Sequence, residues 1–188
     1  MSILRAGYIA FPISPRNSPE AVAHLVNAAS VKHIFVGREK ALSDLNAASL
    51  KVLESLYSNT SRPTFSPAPV FEELFVKKSH DFDEIPFEKK SLGDVVMYMH
   101  SSGQPFCFGC VITYLIHTPG STAFPKAVPW TNRYLNELAL HPYFGERDLT
   151  DLVFSLHSIP MYHGMGSIQL TWAVRFTYYR RGLFRIYS

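Results

Sequence analysis

Apolar and polar positions fall into two kinds of block along this chain, and the blocks predict strands alternating with helices. Gly7 to Ile13 is a short run of apolar, aromatic and β-branched residues that predicts a buried strand, closed off by Pro12 and Pro15. Ser18, Pro19 and Glu20 then supply an N-cap, a proline at the first helical position and an acid in the first turn. Val22, Leu25, Val26 and Ala29 follow on one face, so the spacing predicts an amphipathic helix over residues 18–29. His33 to Val36 reads as a strand ending at Gly37. From Lys40 to Tyr57 the apolar positions Leu42, Leu45, Ala48, Val52, Leu53 and Leu56 recur near the helical period, with Asp44, Lys51 and Glu54 outside the stripe. Strand, helix, strand, helix is the order of an α/β layer.

The pattern is less regular further on. Arg62 to Pro69 is rich in Pro, Ser and Thr and predicts a connecting loop, while Lys77 to Lys90 is charged and predicts an exposed segment. Asp94 to His100 predicts a strand, with the small residues Ser101, Ser102 and Gly103 directly after it. A turn at the carboxyl end of a strand is where open α/β sheets place ligands. Trp130 to Leu140 has helical spacing, with Tyr134, Leu135, Leu138 and Ala139 on one side and Thr131 as the candidate N-cap. A polar turn at 145–148, a short strand at 152–155 and a helix beginning at 166–174 complete the expectation, and no repeat of the 20–50-residue kind appears.

Composition narrows the function classes. With 188 residues, 47% of them hydrophobic and 18% charged, the chain has the makings of a folded core rather than of a disordered tract. A formal net charge of +3 is too small and too dispersed to point to nucleic acid as a partner. No apolar stretch reaches the roughly 18 residues that cross a bilayer and no signal-like segment opens the chain, so the expectation is a cytoplasmic protein without a membrane partner. Cys107 and Cys110 make a Cys-x-x-Cys pair. A structural zinc site needs four ligands, and no second cysteine pair or finger-spaced histidines follow, so no metal is expected there.

Two separated pieces carry the chemistry: His100-Ser-Ser-Gly103 and Ser121-Thr-Ala-Phe-Pro-Lys126. Ser101, Ser102, Gly103, Ser121 and Thr122 offer hydroxyls and unhindered backbone amides, and Lys126 offers a cation, which together suit phosphate oxygens. Taken alone, the same residues also make an ordinary Ser/Thr-rich surface turn. A third piece, Phe154-Ser-Leu-His-Ser-Ile-Pro-Met-Tyr-His-Gly-Met-Gly166, holds two histidines. His157 reads as a hydrogen-bonded core histidine; His163 reads either so or as a ligand contact, because Gly164 and Gly166 leave room for a ligand.

Joined, the first two pieces read His-Ser-Ser-Gly-Ser-Thr-Ala-Phe-Pro-Lys, which resembles the Thr-Ser-Gly-Ser/Thr-Thr-Gly-x-Pro-Lys-Gly phosphate loop of the adenylate-forming superfamily of AMP-dependent synthetases and ligases. Residues 7–19 resemble the early segment of fungal synthetase-like adenylation domains, and residues 154–166 resemble the family's next core motif. Ala123 and Ala127 depart from the family, which has glycines at both places. The resemblance implies a partial N-terminal α/β domain, an incomplete sheet flanked by helices, over residues 1–174. It implies ATP with Mg²⁺ and attack of a carboxylic acid on the α-phosphate to give an acyl-AMP and pyrophosphate. In that scheme Ser101, Ser102, Gly103, Ser121, Thr122 and Lys126 hold phosphate, His163 and Gly164 border the acid, and thiolation or reductase domains are expected partners in the parent.

Between the two halves of the loop, residues 104–120 contain no charged side chain and both cysteines, and nothing in phosphate chemistry calls for them. They read as retained intron sequence, since permissible codons at Gly103, Pro119 and Gly120 supply in-frame splice boundaries; a surface insertion is the alternative. The resemblance stops after Val174, and the basic and aromatic tail 175–188 reads as non-family sequence. The family's later groups, an adenine-contacting aromatic with its Thr-Glu pair, a ribose-binding aspartate and a mobile lysine, have no matching positions. The chain is therefore expected to be a fragment without complete catalysis, the other reading being a non-catalytic fold remnant or interaction module.

Overall fold

Ser18 caps the helix that the sequence places after it. Its Oγ accepts from the Ala21 amide at 3.3 Å, and α2 runs Pro19–Ala28. The computed structural model describes residues 2–58, 60–70, 73, 90–101, 124–140 and 160–171. Helices are α1 (Ser2–Arg5), α2, α3 (Lys40–Leu56), α4 (Asn132–Leu140) and α5 (164–171, the last described residue); strands are β1 (His33–Val36), β2 (Thr64–Pro67), β3 (Val95–His100) and β4 (Ala127–Thr131). The chain divides into two compact units, one of Met1–Ser14, Phe82–Met99 and Pro129–Ser188, the other of Pro15–Asp81 and His100–Val128.

In the second unit α2 packs on α3. α2 buries Ala21, Val22, Ala23, Leu25 and Val26, and α3 answers with Ser49, Leu50 and Leu53, of which Leu25 and Leu53 are the large side chains most fully enclosed. The apolar stripe of α3 turns out offset from expectation: Leu56 stays 64% exposed, while polar Ser49 is buried. Ser49 is tolerated because its hydroxyl donates to the Leu45 carbonyl at 2.7 Å, one turn back. Side-chain hydrogen bonds fasten α2 to the end of α3 and the turn after it: His24 Nδ1 pairs with the Tyr57 hydroxyl at 3.2 Å, and the Thr60 hydroxyl donates to Asn27. Helix α2 closes with Ser30 at φ 49°, while the Ser30 and Val31 amides donate to the Asn27 and Val26 carbonyls. That is the arrangement glycine usually provides.

Residues 62–69, expected to be a loop, contain β2, which pairs in parallel with β1 in the register His33↔Thr64 to Val36↔Pro67. The Thr64 amide donates to the Lys32 carbonyl and the Ala68 amide to the Val36 carbonyl, so β1 supplies the partners that local composition does not advertise.

In the first unit the expected buried strand at residues 7–13 is a single parallel bridge, Ala10 to Met97, and Tyr8 and Ile9 are 71% and 48% exposed. The backbone explains why. Ala10 donates to the Val96 carbonyl and accepts from the Tyr98 amide, but the next amides along that edge, at residues 8 and 12, are lost to the ladder. The Tyr8 amide closes α1 onto the Ile3 carbonyl, with Gly7 at φ 78°, and Pro12 has no N–H.

β3 lies where the sequence put it and pairs with β4. Trp130, expected in the helix, belongs to β4, and the helix begins at Asn132. Its first amides are accounted for: Asn132 and Arg133 donate to the Asp94 and Leu92 carbonyls, and Tyr134 donates to the Thr131 hydroxyl. The Ser91 amide donates to Asp94 Oδ2 at 2.7 Å, and the hydrogen bonds from Ser91 hold that carboxyl below its usual range. Leu138 and Ala139 are buried on the expected face, and the Trp130 and Tyr134 rings meet edge to face at 5.1 Å.

Candidate functional site

The two halves of the loop leave and rejoin the sheet through one reciprocal pair of hydrogen bonds. The Ser101 amide donates to the Lys126 carbonyl at 3.1 Å, and the Lys126 amide donates to Ser101 Oγ at 3.0 Å. Both backbone amides are therefore committed, one to the Lys126 carbonyl and the other to Ser101 Oγ, and neither is left for a ligand. What remains is the hydroxyl proton of Ser101, whose oxygen is already an acceptor, and the ammonium of Lys126, which is exposed and has no ion pair among the described residues. A hydroxyl proton and an ammonium without an ion pair among the described residues are groups that suit an anion. Ser102, Gly103, Ser121 and Thr122 lie outside the described residues, as do Cys107, Cys110 and the rest of 104–120.

Ala127 stands where glycine was expected to be needed. It is in β4, and Ser30 is the one described non-glycine residue with positive φ, so this position asks for no glycine-like backbone.

Just before Lys126 the chain is held from the side. The Phe124 ring stacks on the His24 ring, centroids 5.2 Å apart and planes 21° off parallel, and Pro125 is buried. Neither aromatic was singled out from the sequence. Phe124 fills the variable position of the loop motif, and His24 is one ring on a helix whose apolar face explains itself without it.

His163 sits at a different kind of turn. Its carbonyl accepts from the Gly166 and Ser167 amides and its own amide donates to the Pro160 carbonyl, which makes it the residue that opens α5. The ring caps the same helix: the Met165 amide donates to Nδ1 at 3.3 Å. An accepting Nδ1 puts the proton of the neutral ring on Nε2, which is left to face outward. The side chain is exposed, so the buried-core reading of His163 does not hold, and His157 lies outside the described residues. A Cβ at Gly164 would meet the Trp130 ring at 3.9 Å, an ordinary contact, so packing does not require glycine there. Below the turn, buried Ser167 donates to the Met161 carbonyl at 2.7 Å and lies 3.7 Å from the Met99 sulfur on β3. No pattern in the sequence marks Ser167.

Among the described residues no group of three or more His, Cys, Asp or Glu side chains gathers as a metal site, and no helix is long and apolar enough to cross a membrane.

Comparison with known proteins fits this arrangement. The chain is 40% identical over 170 residues to the adenylate-forming reductase Nps10 of Heterobasidion annosum, covering 89% of this chain and 14% of that one. It is 31% identical to the adenylate-forming reductase Nps9 of Serpula lacrymans, over 88% of this chain and 14% of the relative. The isocyanide synthase-NRPS hybrid crmA of Aspergillus fumigatus matches at 27% identity, over 88% of this chain and 10% of its own length. The chain thus spans about a seventh or less of the relatives it matches. Among solved structures, the luciferase-like enzyme of the nonluminescent Zophobas morio mealworm superposes with a TM-score of 0.58 at 16% identity, over 91% of this chain and 35% of that one, which establishes a shared fold. The family model for AMP-binding enzymes matches residues 1–177, and this α/β chain belongs to that family.

Proposed function

We propose that this chain carries part of the ATP-phosphate site of a cytoplasmic enzyme that activates a carboxylic acid as its acyl-AMP. The observation that carries the reading is the pair of hydrogen bonds between Ser101 and Lys126, which leaves a hydroxyl proton and an ammonium without an ion pair among the described residues just beyond β3. An ammonium held just before a strand acts on the triphosphate by electrostatics and positioning, and covalent chemistry is not asked of it. Ser102, Gly103, Ser121 and Thr122 complete the cradle, with the amide donors coming from these residues because those of Ser101 and Lys126 are spent. His163 borders the acid through Nε2, and Gly164 gives the substrate room. Mg²⁺ accompanies the triphosphate, and no ligand for it is assigned in this chain. The relatives named as reductases support a carrier and a reductive step as the sequel in the parent.

These 188 residues alone bind nucleotide without turning it over. They hold no positions matching the family's adenine, ribose and lysine groups, and transition-state stabilisation requires all of these to act together from fixed places. ATP is expected to raise the melting temperature, by an amount equivalent to about 2.7 kcal/mol at a hundred times its Kd. Pyrophosphate exchange across a panel of aryl and aliphatic acids is expected to stay at the level of Lys126→Ala. Exchange clearly above that control would overturn the second expectation, and a melting temperature indifferent to ATP would overturn the first.

A further inference from the structure

We propose that His24 is a positioning residue for the phosphate loop, acting through Phe124 as a clamp on the arm that carries Lys126; this rests on the phosphate reading above. Phe124 stacks on His24 at 5.2 Å, inside the range of favourable aromatic pairs, and His24 is in turn fixed at Nδ1 by the Tyr57 hydroxyl at 3.2 Å. The imidazole thus has one edge tied to the end of α3 and one face given to the loop.

The reach from that contact to the cation is short and stiff. Pro125 follows Phe124, is buried, and fixes its own φ while restricting the residue before it, so holding the Phe124 ring also sets the direction in which the backbone arrives at Lys126. Lys126 is then pinned from the other side by Ser101. Between the two anchors the lysine backbone has little freedom left, while its side chain keeps all of its own. Phe124 is 46% exposed, so core burial does not enclose it, and its face is met by the His24 ring.

The test is amide hydrogen exchange on the full chain, read at the Lys126 amide that donates to Ser101, with the Leu25 and Leu53 amides as the record of global opening. His24→Ala and Phe124→Ala are each expected to speed exchange at Lys126 by up to about tenfold, the scale of one aromatic pair, while Leu25 and Leu53 exchange as in wild type. His24→Phe, which keeps a ring to stack on, is expected to restore slow exchange at Lys126. ATP-dependent stabilisation is expected to follow the same order, with half-saturation shifted up to about tenfold in the two alanine variants. Unchanged exchange at Lys126 in both alanine variants, or a rise shared equally by Leu25 and Leu53, would overturn the clamp. The exchange measurement needs no nucleotide, so a wild-type chain that ATP does not stabilise sinks the phosphate reading and still leaves the clamp decided by the exchange pattern.

Discussion

The ends of the loop and the histidine turn use the same kind of hydrogen bond in opposite ways. At Ser101 and Lys126 a side-chain oxygen receives a backbone amide from the residue before β4, and the proposed phosphate group, the ammonium, takes no part. At His163 the ring proposed to border the acid itself receives the amide, from Met165 two residues on, and is held by the helix it opens. The first arrangement fixes a backbone and leaves a long, mobile cation to find its partner. The second fixes the ring directly, sets its tautomer, and leaves one nitrogen to face a ligand. A charge that must follow a triphosphate gains from the first, and a group that must border a substrate in one orientation gains from the second.

Substitutions can break that contrast. The largest effect is expected from Lys126→Ala: if the ammonium is purely functional, ATP affinity falls about 10- to 100-fold, the range of a lost charge-assisted bond, while the melting temperature without ATP stays put. A drop in the nucleotide-free melting temperature would make the lysine structural and erase the difference between the two sites. At the turn, His163→Ala is expected to cost about 1 kcal/mol of stability through loss of the cap, measured by chemical denaturation. His163→Asn, a better cap, should regain that stability without regaining affinity for the acid; if it regains both, the ring borders nothing. The smallest effect is expected from Gly164→Ala, which has room against Trp130 and gains helix propensity, so stability should hold or rise by up to about 1 kcal/mol. Acid binding that nonetheless weakens would show that the missing Cβ serves the substrate, whereas unaltered binding would take Gly164 out of the site.

What the sequence made legible follows from how local each signal is. Helix α2, strand β1 and helix α3 appear close to their expected bounds because cap, period and breaker lie inside the segment itself, as with Ser18, Pro19 and Gly37. β2 and β4 were missed because their hydrogen bonds come from elsewhere in the chain, and their prolines, Pro67 and Pro129, argue locally against strands. The buried strand expected at residues 7–13 failed for the reverse reason: its apolar composition was right for a sheet, but the amides that would have built the ladder were taken by the α1 closure or absent at Pro12. In the candidate site, Ser101 and Lys126 could be named from their chemistry, yet nothing in the sequence said that their amides donate to the Lys126 carbonyl and Ser101 Oγ. Likewise no rule of spacing pairs His24 with Phe124, and histidine is not among the residues that spacing rules offer as a helix cap.

The reciprocal bonds between Ser101 and Lys126 also bear on what a genome can do to this segment unnoticed. Once both ends are tied, the thermodynamic penalty for extra chain between them grows only with the logarithm of its length. Lengthening such a stretch roughly threefold costs about 1 kcal/mol. Extra residues entering between Ser101 and Lys126 would therefore cost the joined strand ends little. By that arithmetic, extra chain at this point weighs little on folding, and its effect would fall on whatever the loop binds.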